Sequence, residues 1–247
     1  MKFGLYSGLI AGTMALAAAP GYAATVMLTI DEFDSVQTVK DVPSTSFVNN
    51  SEVADAGVLG GYRDFEVMNT AATGNPEDAT ELRSEAGLLS FSNIAGASGS
   101  GYITYDGQDD PTTVNTTGLG GINLEIGTNP YFAFDVAYFD RNVFIEITAW
   151  DMLGNVVSYS ETLAAGFNPN LPFSDLIGDP NFDWTQVGAL QFFVDSSNTE
   201  ISVDGQLNSI KVVADMNVIP LPASGLLLLG GISSAGFLLR RKRRKSS

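Results

Sequence analysis

Val143-Phe144-Ile145-Glu146-Ile147-Thr148-Ala149-Trp150 alternates with a period of two. Val143, Ile145, Ile147 and Ala149 fall on one face, and Trp150 lies opposite them. This is the pattern of a half-buried β-strand. Downstream, Gly154-Asn155 turns the chain into Val156-Val157-Ser158-Tyr159, which predicts a hairpin with its loop around residues 151–155. Upstream, Tyr131–Tyr138 reads as a long aromatic strand. The same reading extends to Leu190–Val194, Ile201-Ser202-Val203 and Leu207–Val213, and back to Tyr102–Tyr105. Earlier still come Val26–Ile30, Asp64–Met68, Glu81–Glu85 and Leu88–Ser92. Gly, Asn, Asp and Pro punctuate at strand-length intervals, as in an all-β sandwich. No stretch of this body has a convincing helical period, and the one place with room for a helical turn is Asn181–Val187.

Composition removes whole classes of chemistry. The 247 residues include no His and no Cys. Ser–His–Asp triads, histidine bases, thiol chemistry and nearly all catalytic zinc sites are thereby excluded. Carboxylates, Tyr, Lys and Ser remain, so glycoside hydrolysis by paired carboxylates is the main enzyme class left open. Residues 25–217 hold all 28 acidic residues but only Lys40, Arg63, Arg83, Arg141 and Lys211 among the basic ones, an excess of 23 negative charges. Such a surface repels nucleic acid and anionic lipid and attracts cations.

The two ends read as targeting segments. Met1–Ala24 has Lys2 in a thin positive region, an apolar run over Leu5–Ala19, and Gly21-Tyr22-Ala23 as a small-x-small site, with cleavage expected after Ala23 or Ala24. At the other end, Ile219-Pro220-Leu221-Pro222-Ala223 leads into the 15-residue apolar run Gly225–Leu239, followed by Arg240, Arg241, Lys242, Arg243, Arg244 and Lys245. As a helix the run spans roughly 22 Å, short for a hydrocarbon core of about 30 Å. The one-sided basic cluster places the C-terminus in the cytoplasm and the body outside. Pro220 and Pro222 favour extended backbone, which a protease or transpeptidase can bind.

This order of motif, apolar helix and basic tail resembles the C-terminal sorting signals of the PEP-CTERM class, in its VPLPA-CTERM variant, with Ile219 in place of the leading Val. The resemblance implies processing by an exosortase-type membrane transpeptidase after passage through the secretion machinery. It also implies an association with extracellular polysaccharide. The body resembles a jelly-roll domain of such proteins, distantly similar to galactose-binding-like and carbohydrate-binding modules. That likeness rests on Asp31-Glu32-Phe33-Asp34, Gly57–Asp64, Gly118–Gly121 before Ile122–Ile126, Phe182–Leu190, and Val203-Asp204 with Leu207–Ile210. The expected organisation is a signal-peptide helix (1–24), a jelly-roll-like antiparallel β-sandwich (25–217) and a sorting signal (218–247) with motif 219–223, transmembrane helix 225–239 and basic tail 240–245.

Candidate sites follow from residue chemistry. Asp106-Gly107-Gln108-Asp109-Asp110 packs three carboxylates into five residues, but its spacing misses the EF-hand loop, and it reads as a solvated acidic turn. The galactose-binding-like resemblance implies a structural calcium where terminal strands meet, here Asp31, Glu32 and Asp204. Tyr62, Tyr102, Tyr105, Trp150 and Trp184 could stack on sugar rings, although aromatics in a sandwich are mostly core, and Trp184 reads as core. Glu125, Glu146 and Asp135 could face a cleft, but no motif selects a catalytic pair. The expectation is a non-catalytic exported surface or matrix protein that needs no cofactor beyond that calcium, tethered by its tail and then processed, binding glycan or serving as a structural unit. A carboxylate-dependent glycan hydrolase or lyase is the alternative.

Overall fold

In the computed structural model, residues 25–42, 49–70, 79–94, 96–166, 169–197 and 202–216 are described. The expected signal peptide (1–24) and the expected sorting motif, transmembrane helix and basic tail (218–247) lie outside them. Among the described residues no helix is long and apolar enough to cross a membrane.

The described residues are all-β, with two antiparallel sheets of seven strands each. The first sheet runs in the order β11 (Asn170–Pro172), β8 (Thr128–Phe139), β14 (Asp204–Asp215), β6 (Leu88–Asn93), β5 (Thr80–Glu85) and β2 (Gln37–Asp41). β1 (Thr25–Asp31) joins it along the second half of β14, beyond the residues that pair with β6. The second sheet runs β12 (Ile177–Gly178), β10 (Val156–Leu163), β9 (Val143–Asp151), β13 (Val187–Asp195), β7 (Gly99–Tyr105), β4 (Tyr62–Asn69) and β3 (Asn50–Ala54).

The alternation in β9 is realised as read. Val143, Ile147 and Ala149 are buried, with Ile145 packed against the core, while Phe144, Glu146, Thr148 and Trp150 face the other way. The β9–β10 hairpin turns at Asp151, which stands in for a backbone acceptor. Its Oδ1 accepts from the Leu153 and Asn155 amides, both at 2.9 Å, and its Oδ2 from the Asn155 side chain at 2.8 Å and the Asp183 amide at 3.1 Å. Burial alone would raise the Asp151 carboxyl, but these donors outweigh it and hold the group below the usual carboxylate range.

Two expected elements differ. Asn181–Gln186 forms non-helical turns and Val187 opens β13, and among the described residues the 3-10 turns are Leu59–Gly61 and Phe173–Asp175. Of Ile201-Ser202-Val203, Ile201 lies outside the described residues. Ser202 sits at φ 58°, the left-handed region, so the strand starts only at Asp204.

The inter-sheet core is aromatic at one end. Trp184 stacks on Phe173 with ring centroids 3.9 Å apart, and Phe132 meets Phe173 at 4.7 Å and Phe192 at 5.8 Å. Each large side chain buried this way contributes roughly 1.5–3 kcal/mol. A small cavity of about 70 Å³ remains between the sheets, lined almost wholly by apolar groups such as Phe91, Phe134, Phe139 and Leu207. Its lining offers little to a sugar or a cation.

The other end of the core is polar. Arg63 of β4 is fully buried and reaches across to the first sheet. Its Nη1 donates to Asp31 Oδ2 at 2.8 Å, its Nε to Gln37 Oε1 at 2.7 Å, and its Nη2 to Ser84 Oγ at 2.6 Å and the Ser35 carbonyl at 3.1 Å. Its guanidinium lies 4.7 Å from the Phe65 ring centroid. Tyr105 donates to the same Asp31 oxygen at 2.9 Å. Burial and the Asp31 charge push its phenol well above the usual range. The partners come from β1, β2, β4, β5 and β7, so one network ties both sheets together.

Candidate functional site

The outward face of the second sheet carries its chemistry in register. Across four adjacent strands, Glu66 (β4) stands opposite Tyr102 (β7), Tyr102 opposite Phe193 (β13), and Phe193 opposite Glu146 (β9). Directly opposite side chains on one face of an antiparallel pair touch. The Tyr102 and Phe193 rings accordingly lie 4.6 Å apart, tilted by 32°, and Phe144 meets Phe193 edge-on at 6.3 Å. The neighbouring row is polar: Ser158, Thr148, Gln191, Thr104, Asp64 and Glu52, one from each of β10, β9, β13, β7, β4 and β3. Gln191 donates to Thr104 at 3.0 Å.

The half-buried rings and carboxylates affect one another. Burial, and after it the Asp110 charge, raises the Glu66 carboxyl. Burial raises the Tyr102 phenol, helped by the charges of Glu66, Glu146 and Asp195. A row of rings bordered by hydrogen-bond acceptors and an amide can stack on an apolar ring face while binding hydroxyls at its edges.

At the β3–β4 end of this face the carboxylates crowd together. Glu52 stands opposite Asp64, and the segment after β7 adds Asp106 and Asp109. Glu52, Asp64 and Asp109 bring carboxylate oxygens within 4.8 Å of one another. The loop is held closely in place. Asp109 donates its amide to Glu52 at 2.7 Å, Asn115 donates its amide to Asp106 Oδ2 at 2.7 Å, and Leu119 donates to the Gly188 carbonyl at 2.9 Å. Gly118 packs on the Asp106 carbonyl so closely that any Cβ would lie 1.6 Å from it. Asp64 is 2 % exposed and Asp106 fully buried. Neither Asp64 oxygen has a hydrogen-bond partner, and Asp106 Oδ1 and Asp109 Oδ1 also lack one. Burial, followed by the charge of Asp106, pushes Asp64 up to about 8. Burial, Asp106 and Glu52 push Asp109 up to about 6. Burial raises Asp106 as well. The acidic run is therefore not the solvated turn that its sequence suggests. Two of its carboxylates turn inward, toward the Glu52 and Asp64 that the β3–β4 register sets side by side.

The expected calcium set does not converge. Asp31 pairs with Ile210, six residues along β14 from Asp204, or about 20 Å of extended strand. The three side chains are engaged elsewhere: Asp31 with Arg63, Glu32 with Lys211 at 3.2 Å, and Asp204 with Ser92 at 2.6 Å.

Of the aromatics, Tyr102 and Trp150 lie on the outward face of the second sheet, whereas Tyr105 and Trp184 pack inward. Tyr62 donates to Gln108 at 3.3 Å. Glu125 is exposed in a loop, Asp135 is exposed on the first sheet and Glu146 sits on the second, so the three do not meet. Phe193, Phe144 and Glu66 of this face are not among the residues that the sequence pattern singles out. A signal for Phe193 was present: period two puts it beside Gln191 and opposite the buried Phe192.

No family model matches the chain, and no curated protein matches it. Among solved structures it is similar to an agarase, AgWH50C, at 12% identity and TM-score 0.41, over 75% of this chain and 24% of that one. It is also similar to a family 11 carbohydrate-binding module from Clostridium thermocellum in complex with a β-1,3-1,4-mixed-linked tetrasaccharide, at 13% identity and TM-score 0.36, over 79% and 99%. A third is TmCBM61 in complex with β-1,4-galactotriose, at 11% identity and TM-score 0.29, over 66% and 86%. The chain spans about a quarter of the length of the agarase.

Proposed function

We propose that this chain is an exported, non-catalytic surface or extracellular-matrix protein whose jelly-roll-like sandwich binds glycan on the outward face of its second sheet. The observation that carries the reading is the row Glu66–Tyr102–Phe193–Glu146, bordered by Thr104, Gln191 and Thr148. Half-buried rings are held in place by their neighbours, so little side-chain entropy is lost when a sugar stacks on them.

Binding fits this row better than hydrolysis. Glu66 and Glu146 stand three strand spacings apart, about 14 Å between backbones at ~4.8 Å per strand. Glycosidase pairs work at about 5–9.5 Å. Of the closer carboxylates, Asp64 and Asp106 are buried, which leaves no room for a sugar between them. A glycan array together with a reducing-sugar assay tests this. Saturable binding without release of reducing ends is expected. Turnover abolished by Glu146→Gln or Glu66→Gln would establish the hydrolase instead.

The sorting-signal resemblance supplies the destination. The tail at Ile219–Ala223, the apolar run 225–239 and the basic residues 240–245 would hold the body outside the inner membrane until an exosortase-type transpeptidase cuts. Mature extracellular protein is expected to end near Ala223. Recovery by mass spectrometry of an intact Arg240–Lys245 peptide from extracellular material would contradict this.

A further inference from the structure

We propose that Glu52, Asp64 and Asp109, with Asp106 beside Asp64, form a binding site for one hard divalent cation of the calcium class, at the corner where β3, β4 and the segment after β7 meet. The inference is independent of the glycan reading.

Crowded acidic residues are common on an acidic protein, and alone they would mean little. This cluster differs because Asp64 is 98 % removed from solvent with both oxygens unpartnered, and Asp106 is fully buried with one oxygen unpartnered. A buried polar group without a partner is costly, and a buried charge without one far more so. Among the described residues no basic side chain answers the charge. Arg63, the neighbour of Asp64 in sequence, points to the other side of β4 and is spent on Asp31. A proton shared between Asp64 and Asp106 can relieve one repulsion, but it leaves the oxygens of Asp109 and Glu52 still facing that pair. A single cation would satisfy them together.

The donor set is all oxygen, drawn from two strands and an irregular loop. Calcium accepts six to eight such ligands at about 2.3–2.6 Å in flexible geometry. Oxygens of Glu52, Asp64 and Asp109 lie within 4.8 Å of one another. Two ligands on opposite sides of a calcium are separated by about that distance. Magnesium requires a tighter octahedron at about 2.0–2.1 Å and retains several waters, which a buried corner provides poorly. The loop is already fixed by the Asn115, Asp109 and Leu119 amides, so the ligands are brought together before any ion arrives.

The test is thermal unfolding and isothermal titration of the full chain, stripped with chelator and then supplied with calcium, magnesium or sodium chloride. Calcium is expected to bind one per chain and to raise Tm by about 5 °C or more at saturating concentration. Asp64→Asn is expected to weaken calcium binding at least tenfold. Should that variant fold poorly, Glu52→Gln on the half-buried edge strand carries the same expectation. No saturable binding, an equal rise with magnesium, or calcium binding unchanged in both variants would overturn the proposal.

Discussion

Arg63→Met is expected to destabilise the fold by about 3–5 kcal/mol, the cost of stranding one member of a buried ion pair. The guanidinium satisfies Asp31, Gln37, Ser84 and the Ser35 carbonyl at once, and all of it is buried. Methionine fills much of the volume but leaves the Asp31 carboxylate with only the Tyr105 hydroxyl and the Phe33 amide. Arg63→Lys is expected to recover little, because one ammonium cannot reproduce the planar fork. Adding Asp31→Asn to Arg63→Met removes the stranded charge and is expected to restore part of the loss. For a domain of this size each kcal/mol moves Tm by about 2–4 °C, so a fall of roughly 10 °C is expected in thermal unfolding. A fall below about 2 °C would mean that Arg63 is not the tie between the sheets.

The second large effect is a dependence on pH in chelator-treated protein. Burial and the charge of Asp106 push Asp64 up to about 8 in the fold, whereas an aspartate in the unfolded chain keeps the ordinary value of about 3.9. The folded state therefore holds more protons between those values, and stability must fall as pH rises through that window. The loss levels off above about pH 8. The groups facing Asp64 are Glu52, Asp106 and Asp109, all acidic, so none offsets its charge. A falling Tm between pH 5 and 8 is expected, with Asp109 adding to the fall in the lower part of that window. Asp64→Asn should flatten this slope and, at pH 8 without divalent ions, melt higher than the parent chain. A parent profile that is flat or rises from pH 5 to 8 would contradict the burial of this cluster.

How much was legible in the sequence differs from element to element. The alternation of β9 could be read because one of its faces is buried and the other is not. The β9–β10 turn could be read because Gly154 and Asn155 suit it. Trp184 was legible as core from its apolar neighbours Phe182, Val187 and Leu190. Arg63 was not. It follows Gly60-Gly61-Tyr62 and looks like a surface residue, and only partners from β1, β2 and β5 explain its burial. The acidic cluster was half legible. Asp106 and Asp109 are visible as a run, but Glu52 and Asp64 reach them through the β3–β4–β7 register, a non-local pairing that no spacing in the chain encodes. The aromatic row has the same character. Tyr102 was a candidate, while its partners Phe193 and Glu66 stand beside it only because β13 and β4 flank β7.

The face assignment has a built-in control, because Tyr138 is also an exposed aromatic, 44 % exposed on a strand of the first sheet. The most direct measurement is the affinity of the best array glycan, by titration calorimetry, for the parent chain, a Tyr102→Ala/Phe193→Ala variant and a Tyr138→Ala variant. The outward face of the second sheet is expected to carry the binding, so the double variant should lose at least tenfold and Tyr138→Ala should bind like the parent. Unchanged affinity in the double variant, or a loss confined to Tyr138→Ala, would contradict it.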